Sequence, residues 1–399
     1  MPRILLTVTN DLSHDQRMQR ICSTLASNGY GVQLVGRALP GSIPLEKQPF
    51  EQRRLHCRFN KGFLFYAEYN LRLWWYLMQA PCDAVCSIDL DTLPAGCLAT
   101  LLRRKKRVFD AHEYFTEVPE VTARPLVKAL WALVARICLP FYQHAYTVGP
   151  ALAAIFTKKY GIPFDVVRNV PEEPHPTPPP GGESGKQSTN AEASQFPTEP
   201  PKVGSSHFSS SPPLGGGRGG LLLLYQGALN EGRGIEQLLE ALPHLCGVEL
   251  WLAGEGDLSE MLRRRADQLH VRDKVRFLGY LKPADLKTLT RQAWLGINVL
   301  EDKGLSYYYS LANKYFDYIH AGVPVLTMDF PEYRALNQEH EVALLLNRLT
   351  PETAARAIGY LQAHPEVYQR LQSATREARE DWVWEKEKAV LLRCWQDAL

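Results

Sequence analysis

Three segments after residue 220 are built on glycine, and two of them add a cationic or aromatic side chain. The first contains Gly227, Gly234 and Arg233, the second contains Gly254, and the third places Tyr280 directly after a glycine. Glycines let backbone amides approach an anion closely, and an arginine can bind a phosphate through two parallel hydrogen bonds. Tyr280 could stack on a nucleobase or be a half-buried turn residue. The glycines and the arginine together indicate a phosphate-containing ligand.

A fourth segment, rich in hydroxyl groups, leads into a helix predicted over residues 312–321. It supplies Ser310, Asn313 and Lys314, and the helix itself contains Asp317. The N-terminus of a helix offers free amides and the positive end of the helix dipole, which favour a pyrophosphate. Simple capping of the helix is the alternative interpretation of the same polar residues.

The elements that must position these residues follow from hydrophobic periodicity. Apolar runs alternate with helical patterns, beginning with a strand at 3–9, a helix around 18–25 and a strand at 32–36. The alternation continues through 84–109 and restarts over 221–328. It is typical of parallel sheets, whose ligands bind at the carboxyl ends of the strands. We therefore predict an α/β protein with two Rossmann-like, doubly wound domains.

A segment rich in proline, glycine and serine separates the two halves. Residues 174–220 contain ten prolines, nine glycines and eight serines. This composition buries too little apolar surface to fold, so it predicts a disordered inter-domain insertion, with a proline-rich ligand as the alternative. The predicted units are a first domain, the insertion, a second domain and a C-terminal helix, at 1–170, 171–220, 221–380 and 381–399.

Charge and cysteine usage exclude several classes of protein. The 399 residues carry a formal net charge of +2, which excludes a generally basic nucleic-acid binder. Eight scattered cysteines fit neither a zinc site nor a disulfide framework, and they indicate a reducing compartment. No stretch approaches the roughly 20 apolar residues of a membrane span, and the N-terminal apolar run is too short for a signal peptide. These features predict a cytoplasmic chain.

The order and spacing of the four segments resemble a known enzyme family. They are similar to the donor domain of GT-B glycosyltransferases of glycosyltransferase family 4, the bacterial group 1 type. In the first half, Asp110–Pro119 and Asn10–Arg17 resemble acceptor-domain loops of bacterial members. The resemblance covers nearly the whole chain except 174–220. It implies two domains that face a cleft, and a C-terminal helix that packs back on the N-terminal domain.

The resemblance assigns a donor site. The family's phosphate-binding lysine falls on Arg233, and the second glutamate of its E-x7-E signature, which lies near the donor ribose, falls on Asp317. Ala228 stands where the family has an arginine, and Tyr309 where it has the glutamate that contacts the donor sugar. Glu301 is a candidate substitute for that glutamate. The implied donor-binding residues are Gly227, Gly234, Gly254, Tyr280, Ser310, Asn313 and Asp317.

The acceptor side and the catalytic groups are assigned in the same way. His112 matches a histidine that approaches the donor sugar across the cleft, although a buried and satisfied histidine is the alternative. Cations stabilise the negative charge that builds on a departing diphosphate, so His112, Arg233 and Lys314 are the predicted catalytic residues. No metal is then required, and Asp89-Leu-Asp91 is interpreted as a turn after a strand. The implied acceptor-side residues are Asn10, Asp11, Arg17 and Glu113.

The implied activity is transfer of a sugar, with anomeric retention, from a nucleotide-sugar to a glycan or lipid-linked acceptor. The family further implies a hexosyltransferase type, a role in cell-surface polysaccharide synthesis, and no cofactor, since the nucleotide-sugar is a co-substrate. Two alternatives stay open, and the departures of Ala228 and Tyr309 from the family pattern support the second of them. One is a nucleotide-sugar epimerase on the same fold, and the other is a non-catalytic nucleotide-sugar-binding partner.

A basic first half suggests a further partner. Residues 1–170 carry 21 lysines and arginines against 13 acidic residues, and five consecutive basic residues occupy 103–107. Peripheral attachment to the anionic inner face of the plasma membrane, where lipid-linked acceptors reside, is one hypothesis. Complementing the dipole at a helix C-terminus is an equally good explanation of the run. Nucleic acid is not expected as a partner.

Overall fold

Two parallel sheets organise the chain, as the alternation of strands and helices predicts. The computed structural model describes residues 1–13, 15–172 and 220–399. Nearly all of the predicted insertion at 171–220 lies outside these described residues. Within the described ranges, no helix is both long enough and apolar enough to cross a membrane.

The first sheet is built from residues 3–166. Its elements, in chain order, are β1 (Arg3–Thr7), α1 (Gln16–Ser27), β2 (Gly31–Ala38), β3 (Glu51–His56), α2 (Gly62–Gln79), β4 (Ala84–Ile88), α3 (Asp89–Arg103), β5 (Lys106–Ala111), α4 (Pro119–Thr122), α5 (Pro125–Cys138), β6 (His144–Thr147), α6 (Pro150–Tyr160) and β7 (Phe164–Val166). The strand order is β3-β2-β1-β4-β5-β6-β7, with every pairing parallel. The order reverses between β1 and β4, which is where ligands bind in such sheets.

The second sheet begins after the gap in the described residues. Its elements are β8 (Leu221–Gln226), α7 (Ile235–Ala241), β9 (Val248–Ala253), α8 (Ser259–Gln268), β10 (Val275–Gly279), α9 (Pro283–Thr290), β11 (Leu295–Asn298), α10 (Leu305–Tyr308), α11 (Asn313–His320), β12 (Val325–Met328), α12 (Pro331–Glu339), β13 (Ala343–Leu346), α13 (Pro351–Ala363) and α14 (Pro365–Asp381), followed by α15 (Trp384–Ala398). The order is β10-β9-β8-β11-β12-β13, again all parallel. The switch point lies between β8 and β11.

Buried apolar side chains explain the central strands of both sheets. Leu5 and Leu6 of β1 and Leu223 and Leu224 of β8 are almost fully buried, as expected where helices cover both faces of a parallel sheet. The helices dock through apolar stripes: α1 buries Met18, Ile21, Cys22 and Leu25, and the Asp15 carboxylate caps its first turn by accepting a hydrogen bond from the Met18 amide at 3.1 Å.

One local prediction is wrong. Asp89 and Asp91 do not form a turn after β4, because α3 begins at Asp89 directly after the strand. The acidic residues occupy the first helical turn, where they complement the positive end of the helix dipole. The Asp89 side chain also accepts a hydrogen bond from the His112 amide at 2.8 Å, which ties the start of α3 to the end of β5.

The C-terminal helix α15 packs on the first sheet, against α1, β5, β6 and β7. The Trp384 indole donates a hydrogen bond to the Thr24 hydroxyl at 2.8 Å. The Glu387 carboxylate is buried and pairs with the Arg168 guanidinium at 2.7 Å. The chain therefore passes between the domains twice, and the Trp384 amide donates to the Pro171 carbonyl where the two passages meet.

Candidate active site

The carboxyl ends of both sheets face a cleft of about 640 Å³. The first domain contributes the loops after β1, β5 and β6, and the second contributes the loop after β8 and the start of α11. Nine predicted site residues line the cleft together: Asn10, Asp11, Arg17, His112, Gly227, Arg233, Asn313, Lys314 and Asp317. The other five, Gly234, Gly254, Tyr280, Ser310 and Glu113, are not among its lining residues.

Arg233 and Lys314 place two cations on the donor side of the cleft. The Lys314 ammonium lies 3.8 Å from the centre of the Tyr225 ring, and the Arg233 guanidinium lies 5.0 Å from the centre of the Tyr307 ring. Among the described residues, no carboxylate lies within 4.0 Å of either cation. Burial, and then the charge of Arg233, lower the pKa of Lys314 well below its usual value. Two neighbouring cations without an acidic partner form a site for an anion.

The glycine loops bring the backbone close to these cations. Gly227 has φ 128° and Gly254 has φ 147°, a region that side chains disfavour. A Cβ atom on Gly254 would lie 2.0 Å from the Gly227 carbonyl oxygen, so the loops after β8 and β9 can approach each other only without it. Gly254 therefore shapes the loop that carries Gly227. Gly234, with φ 69°, starts α7 in a similarly crowded place.

Asp317 stands between the cleft and an adjoining cavity of about 420 Å³. Its carboxylate accepts a hydrogen bond from the Gln226 amide at 3.0 Å. Burial raises the pKa of Asp317 to about 6, against the opposing effects of Arg20, Lys287 and Gln226. Gln226, Arg20 and Lys287 line the adjoining cavity, and none of the three is predicted from the sequence as a site residue. Gln226 is the last residue of β8, so its position at a strand end was the signal that could have revealed it.

His112 is held between two carboxylates on the first domain. Its Nε2 lies 2.9 Å from Asp110 Oδ2, and its Nδ1 lies 3.9 Å from Asp89 Oδ2. Burial lowers the pKa of His112, but the charge and hydrogen bond of Asp110 and the charge of Asp89 outweigh it and raise this pKa to about 9. The ring is therefore an imidazolium at neutral pH, and it lines the cleft opposite Arg233 and Lys314.

Arg17 contributes to the site through Asp110. Its guanidinium is buried, pairs with Asp110 at 3.1 Å, and donates a hydrogen bond to the Val167 carbonyl at 2.8 Å. One carboxylate oxygen of Asp110 thus contacts the Arg17 guanidinium, and the other contacts the His112 ring. The arrangement makes Arg17 a positioning residue for His112.

Asp11 is fixed in the loop after β1. It pairs with Arg54 at 2.6 Å, accepts from the Ser13 amide at 3.0 Å, and contacts the Ser42 hydroxyl. Burial raises the pKa of Asp11, but these hydrogen bonds outweigh it and lower this pKa to about 2. Asn10 has fewer contacts within the described residues, where its side-chain amide donates a hydrogen bond to the Asp15 carboxylate at 3.3 Å. Both residues lie on the cleft wall that faces the second domain.

Tyr309 lies in a contact between the two domains and does not line the cleft. Tyr309 packs against the apolar cluster of the first domain, and α10 contacts the short turn at Phe115–Glu117. The Glu301 carboxylate pairs with Lys303 at 2.8 Å and does not line the cleft. The Ser310 hydroxyl donates to the Tyr307 carbonyl at 2.8 Å. An aromatic contact between the domains thus occupies the position at which the family has a glutamate.

Two predicted residues lie at the surface. The Tyr280 side chain is 66% exposed at the end of the edge strand β10, and Glu113 is exposed next to His112. Ala228 lines the cleft, but its side chain is a methyl group and its carbonyl accepts the Tyr225 hydroxyl at 2.8 Å. Within the described ranges, no group of three or more His, Cys, Asp or Glu residues is arranged to hold a metal ion.

Two family models match this chain, one on each domain. The model for glycosyl transferases group 1 matches residues 215–378, and the model for glycosyltransferase family 4 matches residues 16–172. An uncharacterised glycosyltransferase of Methanocaldococcus jannaschii is 37% identical over 75 residues. That match spans 18% of this chain and 19% of the relative's length.

Solved structures share the fold over essentially the whole chain. HepE of Anabaena, crystallised with UDP and glucose, has a TM-score of 0.73 and 13% identity, covering 99% of this chain and 100% of its own. WaaG, a glycosyltransferase involved in lipopolysaccharide biosynthesis, has a TM-score of 0.68 and 16% identity, covering 97% and 99%. The two parallel sheets around a cleft are therefore the GT-B fold.

Proposed function

Since the chain belongs to the group 1 glycosyltransferases of family 4, we propose that it transfers a hexose from a nucleotide-sugar, with anomeric retention, to a lipid-linked or glycan acceptor. The observation that carries the proposal is the pair of cations, Arg233 and Lys314, without an acidic partner among the described residues. A diphosphate fits this pair and the N-terminal end of α11. The chemistry requires no metal or cofactor.

We assign each part of the donor a position in the cleft. With the diphosphate at Arg233 and Lys314, the ribose hydroxyls reach Asp317 and Gln226, which are hydrogen-bonded to each other at 3.0 Å. The nucleobase then extends toward the adjoining cavity beside Lys287. HepE was crystallised with UDP and glucose, so UDP-glucose is the first donor to test.

The sugar end of the donor points across the cleft toward His112. When the bond between the sugar and the diphosphate breaks, negative charge grows on the diphosphate and positive charge on the sugar. Arg233 and Lys314 stabilise the diphosphate, and a bound diphosphate relieves the repulsion between these two cations. His112 donates a hydrogen bond to the donor sugar, and Arg17 and Asp110 keep its ring in place.

The acceptor enters from the first domain, beside Asn10 and Asp11. The match to the group 1 family and the likeness to WaaG support a role in cell-surface polysaccharide synthesis. For synthesis on lipid-linked acceptors, we propose that the protein works in the cytoplasm, at the inner face of the plasma membrane.

Product analysis with a panel of nucleotide-sugars tests the proposal. Incubation with a lipid-linked acceptor should yield a new glycoside with the donor's anomeric configuration, together with a nucleoside diphosphate. Interconversion of the donor without an acceptor would instead identify an epimerase. Binding of a nucleotide-sugar with no turnover in either condition would identify a non-catalytic partner.

A further inference from the structure

Helix α5 presents an apolar face to solvent. Four of its residues, each about one turn from the next, have exposed apolar side chains: Leu126 is 87% exposed, Leu130 41%, Leu133 51% and Ile137 58%. Its opposite face is also apolar and is buried through Trp131, Ala135 and Cys138. A helix on the surface of a water-soluble domain normally turns polar residues outward, so the outer face of α5 requires an explanation.

The same surface continues onto two neighbouring helices. α3 packs against both α2 and α5, and the Tyr66 ring of α2 contacts the Trp131 ring of α5 at 5.2 Å. α2 exposes Leu71 and Trp75, and the C-terminal end of α3 exposes Leu98 and Leu102. More than half of the large apolar side chains exposed in the described part of the chain lie on these three helices. They form one surface, the α2–α3–α5 face.

Basic residues border this face. Arg104 caps the C-terminal end of α3 and Lys106 begins β5. Arg124 precedes α5, and Arg136 lies in the last turn of α5. All four are exposed, and none of them pairs with an acidic group among the residues that the structure describes. α5 itself contains no acidic residue.

The remaining cations of the basic run have structural roles. Arg103 donates hydrogen bonds to carbonyl oxygens near the end of α2, including Ala80 at 2.7 Å. Lys105 pairs with Asp83 at 3.7 Å, and Arg107 donates to the Phe141 carbonyl at 3.0 Å. Only part of the run from 103 to 107 is therefore available to a partner.

We propose that the α2–α3–α5 face docks on an anionic lipid bilayer. Apolar side chains enter the boundary between headgroups and acyl chains, and the bordering cations bind the anionic headgroups. A symmetric dimer through the same face would oppose these cations to their copies, which is unfavourable. The 14 residues of α5 are too few to span a bilayer, so the helix lies along the surface.

The position of the face connects it to the cleft. Trp131 of α5 packs on the Phe115 ring at 5.3 Å, and Lys128 pairs with Glu117 at 2.8 Å. Phe115 follows His112 by three residues, so the loop that carries His112 rests directly on α5. This step depends on the proposed function: a bilayer held here would present lipid-linked acceptors at the His112 side of the cleft.

Vesicle co-sedimentation of the full chain tests the docking surface. Wild type should bind vesicles containing phosphatidylglycerol and should bind phosphatidylcholine vesicles much more weakly. The variant L126Q/L133Q/I137Q should lose at least about tenfold in affinity for the anionic vesicles. The variant R104E/K106E should lose at least about fivefold in affinity for the anionic vesicles per charge changed, and this loss should be smaller in high salt. The matched control M261Q/R264E changes exposed residues of α8 and should bind as wild type.

The outcomes separate docking from the enzyme's activity. Absence of binding by wild type, or equal binding by all four proteins, would overturn the docking surface. Dimerisation in sedimentation velocity that the α5 variant abolishes, without vesicle binding, would also overturn it, because the face would then be a self-interface. The increase in melting temperature on adding UDP reports the donor site separately. It should be the same in all four proteins, which also verifies that the variants fold.

Discussion

Lys314 lowers the stability of the free protein and supplies a cation for the proposed diphosphate site. A lysine whose pKa is lowered by burial and by Arg233 destabilises the free protein, and a bound diphosphate removes that cost. Lys314→Met should therefore raise the melting temperature of the free protein, through a gain of about 1 kcal/mol or more in its free energy of unfolding. It should also abolish the stabilisation by nucleotide. Calorimetric melting with and without UDP measures both effects.

The control for this prediction is Lys282→Met, which removes an exposed lysine of the same domain. It should change neither quantity. Turnover should fall by roughly 10²–10³-fold in both Lys314→Met and Arg233→Ala, because each removes a cation that stabilises the leaving diphosphate. Near-normal turnover in both variants would refute the phosphate site.

His112 should make stability depend on pH. Its pKa rises from 6.5 to about 9 on folding, so the protonated ring stabilises the native state fully below about pH 6.5. That contribution is lost as the pH rises through about 9. Urea unfolding at about pH 6 and about pH 10 should show wild type losing on the order of 2–3 kcal/mol more than His112→Asn. An equal loss in both proteins would show that the carboxylates do not hold an imidazolium.

At the scale of the elements, the contact between the loops after β8 and β9 depends on one missing side chain. Gly254→Ala places a Cβ atom 2.0 Å from a backbone oxygen that cannot move aside like a flexible side chain. We expect a loss of roughly 2–4 kcal/mol in the free energy of unfolding and weaker nucleotide binding. Chemical denaturation and UDP titration measure the two effects.

Gly359→Ala is a matched control for that substitution. Gly359 lies within α13, and a Cβ atom there meets nothing within 4 Å. Alanine at this helical position should stabilise the protein by about 0.5–1 kcal/mol and leave UDP binding unchanged. Similar effects of both substitutions would mean that the two glycine loops have room to separate.

Hydrophobic periodicity predicted the central strands of both sheets and missed the polar edge strand β3. The apolar runs at β1, β4 and β8 are strands because helices cover both their faces, and such runs are legible in a sequence. The edge strand β3 has the polar sequence Glu-Gln-Arg-Arg-Leu-His and is a strand because it pairs with β2. No local hydrophobic pattern predicts that pairing. The start of α3 was missed because Asp89 is fixed by the His112 amide, 23 residues away.

The sequence predicts which residues converge at the candidate site, but not the charge states and contacts that depend on partners distant in the sequence. Arg233, Lys314 and Asp317 follow strands or begin helices, so their convergence follows from parallel sheets. The charge state of His112 depends on Asp110, two residues before it in β5, and on Asp89, which is 23 residues away at the start of α3. Tyr309 could be recognised as a departure from the family, but its packing against the first domain is a tertiary contact.

For the whole molecule, the two passages between the domains meet on one side of the cleft. The first passage leaves β7 and reaches Pro171, and the second leaves α14 and reaches Trp384, where the two are hydrogen-bonded at 2.9 Å. A separate contact also joins the domains, in which the Glu332 carboxylate of α12 accepts a hydrogen bond from the Ala151 amide of α6 at 2.8 Å. Because α15 follows the second domain but packs on the first sheet, the domains can move relative to each other only in ways that leave α15 on that sheet.

Glu387 tests that arrangement. Its buried carboxylate binds the Arg168 amide at 2.8 Å and the Arg168 guanidinium at 2.7 Å, whereas Glu385 on the same helix is exposed. Glu387→Gln leaves a partly buried arginine without its counter-charge, so the free energy of unfolding of the first domain should fall by about 3 kcal/mol. Glu385→Gln should change it little, because exposed ion pairs contribute little.

Because α15 packs on the first sheet, UDP should still stabilise the second domain in both variants. Loss of UDP binding in Glu387→Gln alone would show instead that α15 sets the geometry of the cleft, and that the domains do not respond independently.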